Sequence, residues 1–230
     1  MTLEEYRKKE EARIRRAEAL LEAGVIVEDI HTLYIEEGVV VEAGAYLGPC
    51  VTLRGKTVIR AGAYIGQNSR IEDSEVGEDT HVESSVILES RIGSGSNIGP
   101  FAYLRPHSVI GDGCKIGDFV EVKNSNFGDG SKSAHLTYIG DADVGENVNL
   151  GCGVVFVNYD GREKHRATVG NGVFVGCNAN LVSPVTVGDG AYVAAGSTVT
   201  EDIPEDALGI ARSRQTNLEG WAAKKGLYRK

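Results

Sequence analysis

A six-residue repeat limits what this chain can fold into more than any other feature. From Val169 a small aliphatic residue recurs at Val175, Leu181, Val187, Val193 and Val199. The same step runs through Ile59, Ile65 and Ile71, and through Ile92, Ile98, Leu104, Ile110, Ile116 and Val122. Glycine often follows, as in Ile65-Gly66, Ile98-Gly99, Ile116-Gly117 and Val187-Gly188. A period of six suits neither a 3.6-residue helix nor the alternation of one long strand. It suits a short strand plus a tight turn, with the aliphatic residue always pointing inward. Three such units close a coil of about eighteen residues, which predicts an all-β parallel solenoid. The step shortens to five at Ile71 to Val76, Val82 to Ile87 to Ile92, and Val122 to Phe127, slips that corners can absorb.

The composition agrees. Thirty glycines in 230 residues supply many turns, and the absence of a Gly-X-Y period excludes collagen. Aromatic residues make up only 7%, so Val, Ile, Leu and Ala must build the core. A net charge of −9 disfavours a general nucleic-acid or anionic-membrane surface, yet permits a local basic pocket for one anion. No apolar run approaches the ~18 residues of a membrane span, and Met1 to Arg16 alternates acids with bases, unlike a signal peptide. Cys50, Cys114, Cys152 and Cys177 show neither CxxC pairing nor zinc spacing, which suggests a reduced, cytoplasmic setting.

The repeat is flanked and interrupted. Residues 1–24 read as a helix: Thr2-Leu3-Glu4-Glu5 matches a capping box, and Gly24 stands where a helix C-cap belongs. Met1 ahead of that box favours a natural stand-alone chain. Residues 25–206 form the solenoid, which Pro204 is expected to end. Residues 207–230 form a basic tail with Arg212, Arg214, Lys224, Lys225, Arg229 and Lys230. Two longer breaks, Ser131 to Asp143 and Val157 to Thr168, read as loops thrown out of the solenoid, where sites are commonly placed.

No GxGxxG, GxxxxGK[ST] or GxSxG motif is present, and the five histidines lack the clustering that a zinc site needs. His135 stands apart because small residues surround it. A histidine near neutrality suits the general base that an amine needs before attacking a carbonyl, although spacing alone leaves a structural loop histidine equally open.

Four segments carry more than the generic repeat: Gly99-Pro-Phe-Ala-Tyr-Leu-Arg-Pro106, Phe119-Val-Glu-Val-Lys123, Gly130-Ser-Lys-Ser-Ala-His-Leu-Thr-Tyr-Ile-Gly-Asp-Ala142 and Asn158-Tyr-Asp-Gly161. They resemble the acetyltransferase domain of bacterial bifunctional UDP-N-acetylglucosamine synthesis enzymes, from about Gly24 to Trp221. The resemblance implies a left-handed β-helix that moves acetyl from acetyl-CoA to glucosamine-1-phosphate without a metal, as a homotrimer. It implies His135 as the base, Arg105 and Lys123 on the sugar phosphate, and Tyr138, Asn149 and Lys164 as further acceptor contacts. For acetyl-CoA it implies Cys152, Asn158, Tyr159, Cys177, Ala195 and Arg212.

Coil arithmetic adds that Leu150, Val175 and Val193 share one edge of successive coils. Cys152, Cys177 and Ala195, each two residues later, should then stack in one column. Against the family pattern, Cys152 and Cys177 stand where Ala and Ser are usual. Stacked on adjacent rungs, they could form a disulfide, with two reduced thiols the simpler state. The nucleotidyltransferase half and its phosphate loop are missing, so a separate protein would supply that step. Acetylation of another amino sugar or nucleotide sugar, or a non-catalytic trimeric scaffold, remain the rival readings; retention of His135, Arg105, Lys123, Tyr138 and Lys164 together argues against the scaffold.

Overall fold

Most of the short strands bury one aliphatic side chain, and the coils stack so that these side chains form columns. The computed structural model describes residues 1–227; Arg229 and Lys230 of the basic tail lie outside the described residues. Three parallel sheets of 11, 10 and 9 strands wrap the core, each strand pairing with those one coil before and after it. One inward column runs Leu47, Ile65, Val82, Ile98, Ile116, then Ser133, Leu150, Val175 and Val193. A second contains Leu53, Ile71, Ile87, Leu104, Val122 and Ile139; a third contains Ile59, Val76, Ile92, Ile110, Phe127, Val144 and Val169. All but Val144 are at most 2% exposed. The expected parallel solenoid is therefore the fold, with the three-sheet form of a left-handed β-helix.

Four of the five-residue steps have a common construction. In each, the second residue after the inward one takes a left-handed conformation: Asp73, Ser84, Glu89 and Asn124. A buried serine follows, and its hydroxyl donates to the carbonyl two residues back. These bonds are Ser74 to Glu72, Ser85 to Glu83, Ser90 to Leu88 and Ser125 to Lys123, at 2.6–2.8 Å. The corner thus loses one residue without leaving that carbonyl unpaired.

At one end, α1 (Leu3–Glu22) covers the first coil. Thr2 and Glu5 exchange both bonds of the capping box, and Gly24 follows the helix with φ +85°. Arg13, buried, donates to the carbonyls of Ile30, Leu33 and His31 and pairs with Glu10, tying the helix down. No helix among the described residues is long and apolar enough to cross a membrane.

Two expectations need correction. Ser131 to Asp143 is not a loop: it carries the strands Lys132–His135, Tyr138–Gly140 and Ala142–Val144, all paired in the solenoid. The hexad is masked there because Ser133, fully buried, occupies the inward position where an aliphatic residue is usual. Nor does Pro204 end the stacking. Ile203 bridges to Val187, and the strand Leu208–Gly209 pairs with Tyr192–Val193, so one partial coil continues beyond it. A short helix, α2 (Trp221–Lys224), follows in the tail.

The second break is a true excursion. It leaves after the strand Val155–Val157 and returns at Ala167–Val169. Tyr159 and Lys164 form an antiparallel bridge across it. Asp160 fastens its tip by accepting from the backbone N–H of Arg162 and Glu163, at 2.7 and 2.8 Å, and by pairing with His165 Nε2 at 2.7 Å. The His165 partner, then the two N–H groups, hold the Asp160 carboxyl well below the usual carboxylate range.

A carboxyl lowered in the folded state adds stability above its unfolded value of ~4, and that stability is lost as pH falls through the folded value. The excursion should keep its fastening from neutrality down through pH 4. Amide exchange at Arg162 and Glu163 measures this; loss of protection already at pH 5 would contradict it. Core packing is tested separately: Leu104→Ala should cost ~2–5 kcal/mol in urea unfolding, whereas a loss under 1 kcal/mol would mean that the column tolerates a gap.

Candidate functional site

In-register stacking carries the outward residues along with the inward ones. Asp118 pairs with His135 on the next coil. His135 closes the strand Lys132–His135 rather than lying in a loop, and the corner turns at Leu136, whose φ is 49°. Gly117 is required beside it, since a Cβ there would lie 2.0 Å from the Ala134 carbonyl oxygen. His135 Nδ1 lies 2.6 Å from Asp118 Oδ1, with the imidazole 55% and the carboxylate 39% exposed. The histidine partner is the main cause holding the Asp118 carboxyl below its ordinary range.

The column does not stop at His135. Ser133 registers with Leu150, Leu150 with Val175, and Val175 with Val193. Two residues on, His135, Cys152, Cys177 and Ala195 therefore share one column along the corner, as the coil arithmetic required for its upper three members. Backbone bonds tie the rungs: Gly153 N–H to the His135 carbonyl, Asn178 to Cys152, and Gly196 to Cys177. Strand spacing makes the span from His135 to Ala195 about 14 Å over three rungs. Cys152 is half-buried, Cys177 is exposed, and both are free thiols. Arg212 arrives at the far end, where its Cδ lies 3.8 Å from a Cβ placed on Gly196. Asn149 sits on the same sheet as the base of this column, facing outward between Lys132 and Phe174.

A second group forms one corner further along the coil. Arg105 follows the strand Tyr103–Leu104, Lys123 closes the strand Glu121–Lys123 paired with it, and Lys123 registers with Gly140. Glu121 Oε1 takes a 2.7 Å bond from Arg105. Asp141, 7% exposed, accepts from Asn124 and Asn158 at 2.6 and 2.5 Å and lies 3.4 Å from Lys123 Nζ. Burial pushes the Asp141 carboxyl up, but the Asn124 and Asn158 bonds and the Lys123 charge outweigh it and hold the group below its usual range. The excursion brings Lys164 to the same place, where Lys123 first and Arg105 further on lower its ammonium pKa. Three cations crowded against two carboxylates leave a net positive recess on an acidic protein.

Tyr138 joins the two groups. It lies three residues after His135, its ring folds over Gly140, and its hydroxyl is 3.4 Å from Asn158 Nδ2. Of the residues singled out from sequence, Arg105, Lys123, Tyr138, Asn158 and Lys164 thus converge. His135, Cys152, Cys177 and Ala195 form the adjoining column, and Tyr159 stands exposed on the excursion. Asn149 does not reach the cation group within one chain.

Asp118, Glu121 and Asp141 were not singled out. Each partner lies about one coil away, so only the coil length could have exposed the pairing. Exposed Phe101, Phe119 and Leu136 line the corner beside His135, the two rings stacked at 5.6 Å. A cleft of about 460 Å³ between α1 and the first coils, lined by Lys9, Arg16, Tyr34 and Glu36, contains none of these residues. Among the described residues, no three His, Cys, Asp or Glu side chains are grouped as a metal site.

Comparison with known proteins agrees with the repeat. The bacterial transferase hexapeptide model, six repeats, matches residues 89–124 and 166–201. The bifunctional protein GlmU of Clostridium acetobutylicum is 53% identical over 91% of this chain and 46% of its own length. The GlmU of Alkaliphilus oremlandii is 56% identical over 95% of this chain and 48% of its own. The chain spans about half the length of the curated relatives it matches. Among solved structures, the UDP-N-acetylglucosamine O-acyltransferase of Moraxella catarrhalis aligns with 16% identity and a TM-score of 0.44, covering 90% of this chain and 77% of that one. The chain carries the bacterial transferase hexapeptide repeat and aligns with one portion of the bifunctional GlmU proteins.

Proposed function

We propose that the chain is an N-acetyltransferase that moves acetyl from acetyl-CoA to the amine of an amino sugar phosphate, glucosamine-1-phosphate in particular. The observation that carries this reading is the continuity of the His135 column with the cation group through Tyr138. One offers a base beside a track of small residues, the other a phosphate recess.

Arg105, Lys123 and Lys164 take the acceptor phosphate, a dianion suited to the charge that lowers Lys164. Tyr138 and Asn149 contact the sugar, Asn149 from an adjoining copy in a homotrimer. His135 Nε2 takes a proton from the amine as nitrogen attacks the thioester carbonyl. The tetrahedral adduct collapses to the amide, and His135 returns the proton to the departing CoA thiolate. No covalent enzyme intermediate and no metal take part.

Cys152, Cys177 and Ala195 line the pantetheine arm, whose length suits a track of about 14 Å. Asn158, Tyr159 and Arg212 hold the remainder of acetyl-CoA, and the tail from residue 207 closes over it. A homotrimer also explains why the site is open in one chain and why Phe101, Phe119 and Leu136 lie bare beside it. On this reading the protein works in the cytoplasm, upstream of a separate nucleotidyltransferase.

Arg105→Ala tests the substrate class. Losing one charged hydrogen-bond partner costs ~1.5–3 kcal/mol, or about ten- to more than a hundredfold in binding. KM for glucosamine-1-phosphate should rise by that factor, with little change in the poorer reaction of unphosphorylated glucosamine. Equal losses on both acceptors would remove Arg105 from a phosphate pocket. His135→Ala should lower kcat by ~10²–10⁴ and leave acetyl-CoA binding nearly intact; near-normal turnover at neutral pH would remove His135 from the mechanism.

A further inference from the structure

We infer that Asp118 is the positioning residue for His135: it sets the imidazole's tautomer and aims Nε2 at the acceptor amine. This rests on the acetyl-transfer reading for its catalytic consequence, though not for its structural content. Asp118 and His135 are Cα partners on neighbouring coils, and Nδ1 lies 2.6 Å from Oδ1.

The chemistry of that contact follows from the donor inventory. An ionised carboxylate only accepts, and the lowered pKa keeps Asp118 ionised at neutral pH. Nδ1 must therefore carry the hydrogen, which leaves the lone pair on Nε2. Without Asp118 a neutral imidazole is free to hold its proton on either nitrogen, and only one of those tautomers is a base in the productive direction. When His135 takes up the amine proton, the adjacent carboxylate also stabilises the imidazolium that forms.

The backbone makes the arrangement rigid. Leu136 N–H donates to the Asp118 carbonyl at 3.0 Å, and Thr137 Oγ1 donates to the His135 carbonyl at 2.8 Å. Gly117 lets the two coils approach closely enough for the side chains to meet. The other charged group near the pair on the Asp118 strand is Lys115, whose charge also lowers the Asp118 carboxyl. Lys132 occupies the matching position on the His135 strand and registers with Lys115. No other carboxylate among the described residues is hydrogen-bonded to His135.

Asp118 is on the surface and its strand pairing runs through the backbone, so replacing it spares the core. In the full-length protein, Asp118→Ala and the isosteric Asp118→Asn should each lower kcat by about 10- to 1000-fold, with KM for acetyl-CoA and for the acceptor within about threefold. A residue acting only through His135 must lose its effect once His135 is gone. His135→Ala and His135→Ala with Asp118→Ala should thus turn over at the same residual rate. A further loss in the double variant, or an unchanged kcat in both single ones, would overturn the assignment.

Nitrogen-15 NMR of His135 supplies a readout independent of activity. The wild type should show a proton on Nδ1, and Asp118→Ala a mixture of both tautomers. If the mixture appears while the wild type transfers no acetyl group, the functional reading fails and the positioning stands. If the tautomer is the same in wild type and Asp118→Ala, the positioning itself fails.

Discussion

Everything in this molecule depends on coils stacking in register at the spacing of neighbouring strands, roughly 4.8 Å. The force that maintains the register is burial of one aliphatic side chain per strand, each directly above its counterpart in the coil below. A slip by one residue would turn Leu104, Val122 and Ile139 out to water together, so the pairing is strongly specified. The outward residues inherit the same order at no further cost. Tyr46, Tyr64 and His81 show it plainly, with centroids 4.4 and 4.3 Å apart in nearly parallel planes. The pairing of Asp118 with His135, and the line from His135 to Ala195, follow from the same geometry.

The charged recess depends on a second balance. Arg105, Lys123 and Lys164 crowd together because strand ends and one excursion deliver them to the same corner. Glu121 and buried Asp141 keep that crowding tolerable. Asp141 also holds Asn158 Nδ2, so the base of the excursion and the side chain of Lys123 answer to one carboxylate. An arriving phosphate would relieve the repulsion that depresses Lys164, while the carboxylates set a limit on how much negative charge the recess accepts. Rigid coils and one fastened excursion divide the labour: the coils carry His135, Arg105 and Lys123, and the excursion carries Asn158, Tyr159 and Lys164.

The architecture was readable from the hexad, because a period of six has few physical solutions and the inward aliphatics repeat it many times. The same rule failed where its premise failed. Ser133 fills an inward position with a hydroxyl, which made a paired segment look like a loop and misplaced His135 in it. The five-residue steps were seen as slips, but their cause, a left-handed residue followed by a buried serine, needs the backbone to be visible. That motif could have been found, since Asp73-Ser74, Ser84-Ser85, Glu89-Ser90 and Asn124-Ser125 all fall at shortened steps. With it, coil lengths become countable, and Asp118 would have appeared opposite His135. Glu121 and Asp141 escaped for the same reason: their partners are neighbours in space only because one turn of the coil intervenes.

The central claim is that the base column and the cation recess act on one acceptor, an amine and a phosphate on the same sugar. The most direct measurement gives the purified protein acetyl-CoA with glucosamine-1-phosphate, glucosamine, a UDP-linked amino sugar and a sugar phosphate lacking the amine. It follows released CoA thiol together with the position of the acetyl group by NMR. The expected result is thiol release matched one to one by N-acetyl product, with glucosamine-1-phosphate far ahead of the others and none from the amine-free phosphate. Acetyl found on a hydroxyl, a preference for the UDP-linked sugar, or no transfer to any acceptor would contradict the account.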